Sequence, residues 1–192
     1  MRRVGYPVCV TTSLLLDLTH RYQEPQRHYH TLEHVAAMLH QGRQFPLDDE
    51  QVMAIWFHDA VYDPTSDQNE QKSARLASKW LAKSGWEVDA IERVGRMVLD
   101  TRAHMPSTPQ SEAVLDLDLM SLAVSWPAFE RNTAAIRAEY SHVPDDDFSA
   151  GRRQFFTSML ERDRLFFTPW GMTLEEAARK NLRQAIAELA KA

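Results

Sequence analysis

The sequence predicts an all-α fold, a single compact bundle of about seven to nine helices that spans residues 1–192. Apolar residues recur at helical spacing through most of the chain, and no period-two alternation continues beyond about five residues. Prolines and short polar linkers divide this pattern, whereas no repeat or long glycine-rich linker marks a boundary between domains. With 44% hydrophobic residues, the chain has enough apolar material for a core.

The last predicted helix has the clearest signal. Its apolar stripe runs from Leu174 to Leu189 and predicts a helix over residues 173–191. Thr173 and Glu176 have the spacing of a capping box at its start. The same helical spacing predicts seven further helices, at 10–22, 31–43, 48–61, 88–101, 111–123, 127–141 and 147–162.

A ninth helix is predicted between these segments. Asp67 and Glu70 have the spacing of a second capping box, which would open a helix that ends near Gly85. Its buried stripe includes Ala77 and Leu81. The predicted linkers are all short, which is typical of a compact helical bundle.

The composition excludes several classes of protein. The 27 acidic and 22 basic residues give a formal charge of −5, which argues against nucleic acid as a partner. No 18-residue apolar run is present, so no membrane partner is predicted. The single cysteine, Cys9, rules out a disulfide within the chain and fits a cytoplasmic location. Glycine-rich nucleotide motifs and a GxSxG nucleophile motif are also absent.

Histidine and aspartate are unusually placed in two of the predicted helices. His58 and Asp59 end an apolar run beside Phe57, where burial is costly unless they pair or bind a cation. The alternative is a capped helix end with a solvated His-Asp pair. His30 and His34 are four residues apart and therefore project from one helix face. Together these residues predict a cation between helices, with His34 as one ligand.

A fourth ligand is predicted in the segment LDLDL at 115–119. Its acidic residues alternate with leucines that a core should bury, which makes Asp118 a candidate ligand. The alternative is a structural explanation for the segment, in which Asp116 is an ordinary helix N-cap.

The order His34, His58-Asp59 and Asp118 resembles the H…HD…D signature of the HD-domain metal-dependent phosphohydrolases. The flanking segments resemble a bacterial subgroup of that superfamily described as predicted phosphohydrolases. This resemblance covers nearly the whole chain. Its segments are RHYHTLEHV at 27–35, WFHDAVYDP at 56–64, NEQKSARLA at 69–77, TRAH at 101–104, LDLDL at 115–119, IRAEY at 136–140 and GRRQF at 151–155.

The resemblance implies a helical domain in which four residues hold one divalent cation: His34, His58, Asp59 and Asp118. Such a nitrogen and oxygen set suits Mn, Fe, Co, Ni, Zn or Mg without choosing among them. The implied reaction is hydrolysis of a phosphate ester, such as a nucleotide or a related small molecule, by a metal-activated water. Two-metal relatives have a histidine where this chain has Asn69, and this departure favours one ion.

Further roles are predicted for residues close to the ligands in sequence. Asp63 and Glu70 are the candidate catalytic carboxylates, although a turn and a capping box would also explain them. The predicted substrate-binding residues are Arg27, His30, Asn69 and His104, of which His104 has the alternative of a solvated loop residue. Other basic residues, including Arg152, are interpreted as surface charges, and Arg137 with Glu139 as an ion pair.

Two other functions compete with this hypothesis. His30, Glu33 and His34 match the HxxEH motif of a zinc peptidase, although that motif leaves His58 and Asp59 unexplained. An inactive HD domain could instead bind a nucleotide or a protein, with a metal that has only a structural role.

Overall fold

The computed structural model describes residues 11–191, so Cys9 and the start of the first predicted helix lie outside the described residues. Within 11–191 the all-α prediction is confirmed: the chain forms nine α-helices and two short 3₁₀ turns, and no strand. The helices are α1 (Thr12–Arg21), α2 (Leu32–Gly42), α3 (Asp49–Phe57), α4 (Asn69–Lys83), α5 (Val88–Asp100), α6 (Ser111–Leu119), α7 (Trp126–Glu139), α8 (Asp145–Leu160) and α9 (Glu175–Leu189). The 3₁₀ turns are Met120–Ala123 and Gly171–Leu174.

Helix α3 ends earlier than the sequence predicts. The predicted helix runs to residue 61, whereas α3 ends at Phe57 and His58 is its C-cap. The guanidinium of Arg27 donates to the carbonyl oxygens of Asp59 and Ala60 at 2.8 and 3.3 Å, so these carbonyls are bound by a side chain rather than by a further helical turn. The His-Asp pair therefore lies at the end of a helix and not within one.

The capping boxes predicted at Asp67 with Glu70 and at Thr173 with Glu176 do not form. Helix α4 has Gln68 as its N-cap, which shifts the acidic residue out of the third helical position. The hydroxyl of Thr173 instead donates to the carbonyl oxygen of Trp170, the residue before the 3₁₀ turn, at 2.6 Å, and α9 begins two residues after Thr173. Both predictions are wrong because other hydrogen bonds set where these helices begin.

Other signals at helix ends do have their expected geometry. Asp48 and Gln51 form a reciprocal capping box at the start of α3. Gly85 has φ of 78°, and the amide of Trp86 donates to the carbonyl of Leu81 at 3.1 Å. Gly85 thus ends the helix in the left-handed conformation that glycine adopts most readily. The predicted end of α4 near Gly85 is confirmed.

Helix α6 connects two apolar clusters. The first cluster draws on α1 to α6 and includes Leu117, whereas the second draws on α6 to α9 with their connections and includes Leu119. Asp118 lies between these two residues, at the junction of the clusters. Within residues 11–191, no helix is long and apolar enough to cross a membrane.

Asp116 has a structural role, but it is not the N-cap that the sequence suggested. It lies inside α6, is fully buried, and accepts hydrogen bonds from the backbone amides of Phe167 and Thr168 at 2.8 and 2.7 Å. Gly171 packs against this carboxylate so closely that a Cβ there would overlap it. Because successive helical residues are rotated by about 100°, Asp118 points to a different side of α6.

Candidate metal centre

Three separate parts of the fold bring the predicted ligands together. His34 lies in the first turn of α2, His58 and Asp59 follow α3, and Asp118 lies near the end of α6. The Nε2 atom of His34 is 3.3 Å from Nε2 of His58 and 3.2 Å from Oδ1 of Asp118. Nε2 of His58 is 3.0 Å from Oδ2 of Asp59. The four side chains therefore form one cluster, although 84 residues separate its first and last members.

The spacing of these atoms fits a common cation. Ligand atoms around an ion bound at about 2.1 Å lie about 3.0 to 3.4 Å apart in tetrahedral or octahedral geometry. One ligand atom from each of His34, His58 and Asp59 lies within 4.8 Å of the others. Oδ1 of Asp118 approaches Nε2 of His58 to 3.8 Å. His34, His58 and Asp59 could hold a metal ion, and their donor atoms do not select which one.

The orientation of His58 leaves a nitrogen lone pair for a cation. Its Nδ1 is 2.8 Å from the carbonyl oxygen of Ile55, and because a carbonyl only accepts, Nδ1 carries the proton. In the neutral ring, which is the form that binds a metal, Nε2 is then an acceptor directed into the cluster. This fixed tautomer is typical of histidine ligands, and the negative end of α3 further favours a cation here.

Charge within the cluster also favours a cation. Burial alone would lower the pKa of His58, but the charge and hydrogen bond of Asp59, with the charge of Asp118, raise it to about 9. Burial alone would raise the pKa of both carboxyls, but the surrounding imidazoles hold the pKa of Asp59 and of Asp118 below the ordinary range. Two buried carboxylates therefore need positive charge, which a proton or a metal ion can supply.

His104 borders the cluster in a strained conformation. Its φ of 47° lies in the left-handed region, and its Nε2 is 3.4 Å from Oδ2 of Asp118. Arg162 holds this backbone by donating to the carbonyl oxygens of Ala103 and His104 at 2.8 and 2.9 Å. Such strain persists where surrounding contacts impose it, and it is common at functional sites.

Glu139 organises the loop before α2. Its Oε1 accepts from the backbone amides of His28, Tyr29 and His30 at 2.8 to 2.9 Å. Its Oε2 lies 2.7 Å from Nδ1 of His30 and accepts from the hydroxyl of Tyr62 at 2.8 Å. Because a carboxylate only accepts, Nδ1 of His30 carries a proton and Nε2 remains available.

The predicted ion pair between Arg137 and Glu139 is therefore wrong. Arg137 instead pairs with Asp145, with Nη2 to Oδ1 at 2.6 Å. Glu139 is fully buried, whereas Asp145 is exposed. The two residues are two positions apart in α7 and so project to different sides of it.

Arg27 lies beneath the site rather than in an open cavity. Its side chain is fully buried, and it donates to Glu24 and to the carbonyl oxygens of His30, Asp59 and Ala60. Because the guanidinium is buried and makes these bonds, it is not exposed to a ligand. The structure supports a role in holding the loop that carries Asp59, not the predicted contact with substrate.

Three further predicted residues lie where the chain passes from α3 to α4: Asp63 is in the connecting turn, and Asn69 and Glu70 are the first residues of α4. The amide of Asn69 is used within this turn, with Oδ1 accepting from the Asp63 amide at 3.0 Å and Nδ2 donating to the Asp63 carbonyl at 2.9 Å. The exposed Asp63 carboxylate accepts from the backbone and hydroxyl of Thr65. Within the described residues, neither Asp63 nor Glu70 forms a hydrogen bond or ion pair with the four candidate ligands. The structure thus supports the turn explanation of Asp63.

Two cavities border the cluster. One, of about 510 Å³, is lined by His30, His104 and Asp118, so it includes two of the predicted substrate-binding residues. The other, of about 550 Å³, is lined by His34. Tyr29 and Ser121 line both cavities, and their hydroxyls are 2.6 Å apart. Both sizes suit a small molecule.

Comparison with known proteins finds no matching family model, no matching curated protein and no matching solved structure. A functional hypothesis for this chain must therefore depend on its sequence pattern and on the geometry of the site.

Replacing Glu139 with glutamine is expected to lower the free energy of unfolding by about 2 to 4 kcal/mol at neutral pH, because an amide presents a donor to His30 and Tyr62. Burial raises the pKa of Glu139, but its bonds to His30 and the backbone lower it from 4.5 to about 2. Its stabilisation is therefore complete above pH 4.5 and lost as the pH falls to about 2. Urea unfolding across this range measures both effects.

The exposed Glu130 of the same helix provides the control, and its replacement with glutamine should change little. Equal stability of the Glu139 and Glu130 variants at pH 7 would contradict the role given to Glu139.

Proposed function

We propose that this protein is a metal-dependent phosphohydrolase that hydrolyses a phosphate ester of a nucleotide or a related small molecule. The observation that carries the proposal is the convergence of two imidazole nitrogens and two carboxylates, from three parts of the fold, within about one ion's reach. The order of these residues in the sequence, which resembles the HD-domain signature, supports the same function.

The proposed cofactor is one divalent cation held by His34, His58, Asp59 and Asp118. Two nitrogens and two oxygens suit Mn, Fe, Co, Ni, Zn or Mg. When bound, such a cation polarises a phosphoryl oxygen and makes a nucleophilic water available near neutral pH. Asn69, which is used within its own turn, supports one ion rather than two.

His30 is the residue best placed to move a proton. Its Nδ1 is held by Glu139, and it lines the cavity that also contains Asp118 and His104. Burial lowers the pKa of His30, but Asp59 and the hydrogen bond to Glu139 raise it above the ordinary value. We therefore assign to Nε2 of His30 the proton transfer for which the sequence suggested Asp63 and Glu70.

The peptidase alternative has less support. It needs His30 and His34 as paired ligands with Glu33 as the base. Nδ1 of His30 is bonded to Glu139, whereas Nε2 of His34 lies beside His58 and Asp118. The other alternative is a module that binds a nucleotide or a protein without hydrolysis. It would keep the same proposed metal cluster, so a hydrolysis assay separates it from the enzyme.

A cytoplasmic location stays a prediction.

The test is a hydrolysis assay on protein stripped with a chelator and reloaded with Mn²⁺, Co²⁺, Ni²⁺ or Mg²⁺. The substrates are p-nitrophenyl phosphate and nucleoside mono-, di- and triphosphates. We expect phosphate release that depends on the added cation and stops when the chelator is restored. A protein that binds stoichiometric metal but releases no phosphate with any cation would contradict the proposal and favour the binding module.

A further inference from the structure

Arg152 is a half-buried cation that has no carboxylate partner within the described residues. It lies in α8, and its Nε is inaccessible to solvent and has no hydrogen-bond partner. Within residues 11–191, no carboxylate lies within ion-pair distance of its guanidinium. The cationic group instead packs on the rings of Phe155 and Phe156, with Cζ 5.2 and 4.5 Å from the ring centroids. Burial lowers the pKa of Arg152 from 12.5 to about 10, so it is still charged at neutral pH.

This arrangement costs stability unless something else compensates for it. A guanidinium carries five donors, and the buried Nε among them has no acceptor here, which is unfavourable. Contacts with aromatic rings recover part of the loss. A buried donor without a partner, on a cation without a counterion, is a feature that native proteins retain mainly at functional sites.

Arg152 lines two cavities. One, of about 830 Å³, is also lined by four acidic residues, Glu130, Asp145, Asp146 and Glu188, which disfavour an anion. The other is the 510 Å³ cavity, which Arg152 lines together with His104 and Asp118. Phe155 connects these groups, because its ring also lies 6.2 Å from the ring of His104, whose Nε2 contacts Asp118. The guanidinium of Arg152 and the candidate ligand Asp118 thus line the same cavity.

The other walls of the cavity limit the ligand. Ile136, Val143, Phe148 and Phe155 form an apolar wall. The acidic residues Asp118 and Asp147 also line the cavity, and neither pairs with Arg152. One guanidinium can neutralise one phosphate group, whereas a triphosphate would bring several charges beside these carboxylates.

We propose that Arg152 anchors the phosphate group of a small phosphate monoester, whose organic part lies against this apolar wall. The inference deepens the proposed function, since it names the substrate class of the same site. On this inference, nucleoside triphosphates and polyphosphates bind this cavity more weakly than a phosphate monoester does. Arg152 itself would bind the anion through hydrogen bonds, without taking part in proton transfer.

The experiment measures binding of phenylphosphonate, a monoester analogue that cannot be hydrolysed, by calorimetry with metal-free and with Mn²⁺-loaded protein. Replacing Arg152 with methionine should weaken binding to both forms by about tenfold or more, because a charge-assisted hydrogen bond is lost. Arg152→Lys should retain part of the affinity. Arg153→Met, which changes the next residue, should bind as the natural protein does. ATP should bind more weakly than phenylphosphonate.

Thermal unfolding without any anion provides a second measurement. If Arg152 serves a ligand, Arg152→Met should unfold at the same temperature as the natural protein or higher, since it removes a half-buried charge that has no carboxylate partner. A structural role predicts a lower unfolding temperature. Phenylphosphonate should raise the unfolding temperature of the natural protein, and raise that of Arg152→Met by clearly less at the same concentration.

The outcomes separate this inference from the proposed function. Equal phenylphosphonate affinity in the natural protein and Arg152→Met, or no binding to either, would overturn the role of Arg152. Tighter binding of ATP would overturn the substrate class. Binding that depends on Arg152, in a protein that hydrolyses no phosphate ester with any cation, would overturn the proposed enzyme but keep the anion site.

Discussion

Asp59→Asn is expected to lose the bound divalent cation and, with it, about a thousandfold or more of the rate of phosphate ester hydrolysis. The carboxylate oxygen of Asp59 is 3.0 Å from Nε2 of His58 within the proposed ligand set. An amide of the same shape lacks the charge that holds a divalent ion, and the ion supplies several kcal/mol of transition-state stabilisation. Metal content after gel filtration and the initial rate of hydrolysis measure the two losses.

The substitution should leave the fold intact. The main-chain carbonyl of Asp59, which accepts from Arg27, is unchanged by it. Asp89→Asn, at an exposed position in the first turn of α5, is the matched control and should keep both metal and activity. Stoichiometric metal in a folded Asp59→Asn protein would remove Asp59 from the ligand set.

Arg27→Met is expected to lower the free energy of unfolding by about 3 to 5 kcal/mol. The guanidinium is fully buried and donates to three carbonyl oxygens, which belong to His30, Asp59 and Ala60. It also packs on the ring of Tyr22, at 5.0 Å from Cζ to the centroid. Methionine fills part of the space but leaves the carbonyls without donors. Urea unfolding measures the loss.

The matched control is Arg93→Met, because Arg93 makes its ion pair with Glu50 at the surface. We expect little change in stability there, since exposed ion pairs contribute little. If Arg27 contacts substrate instead, Arg27→Met would weaken substrate binding and leave the free energy of unfolding unchanged. That result would restore the prediction made from the sequence.

Much of the fold could be predicted because its information is local. Apolar spacing within one helix is enough to identify α4 or α9, and Gly85 marks the end of α4. Helix ends that depend on distant side chains were predicted less well. Helix α3 ends at Phe57, beside carbonyls that Arg27 binds, and Arg27 is about thirty residues away in the chain.

The ligand cluster could be predicted because polar residues occur where burial is expected. His58 and Asp59 follow an apolar run, and Asp118 lies among leucines. The contact between His30 and Glu139 spans 109 residues and leaves no local pattern. Glu139 and Arg152 lie in the segments IRAEY and GRRQF, which the resemblance had already marked. Residue type alone could not separate them from surface charges, because burial and pairing depend on the packing of α7 and α8.

The most direct test of the proposed metal centre is an anomalous difference map from a crystal grown with Mn²⁺. The expected result is one peak within about 2.0 to 2.3 Å of Nε2 of His34, Nε2 of His58 and a carboxylate oxygen of Asp59, with Asp118 completing the set. A map in which the four side chains are ordered and no peak lies among them would contradict the account.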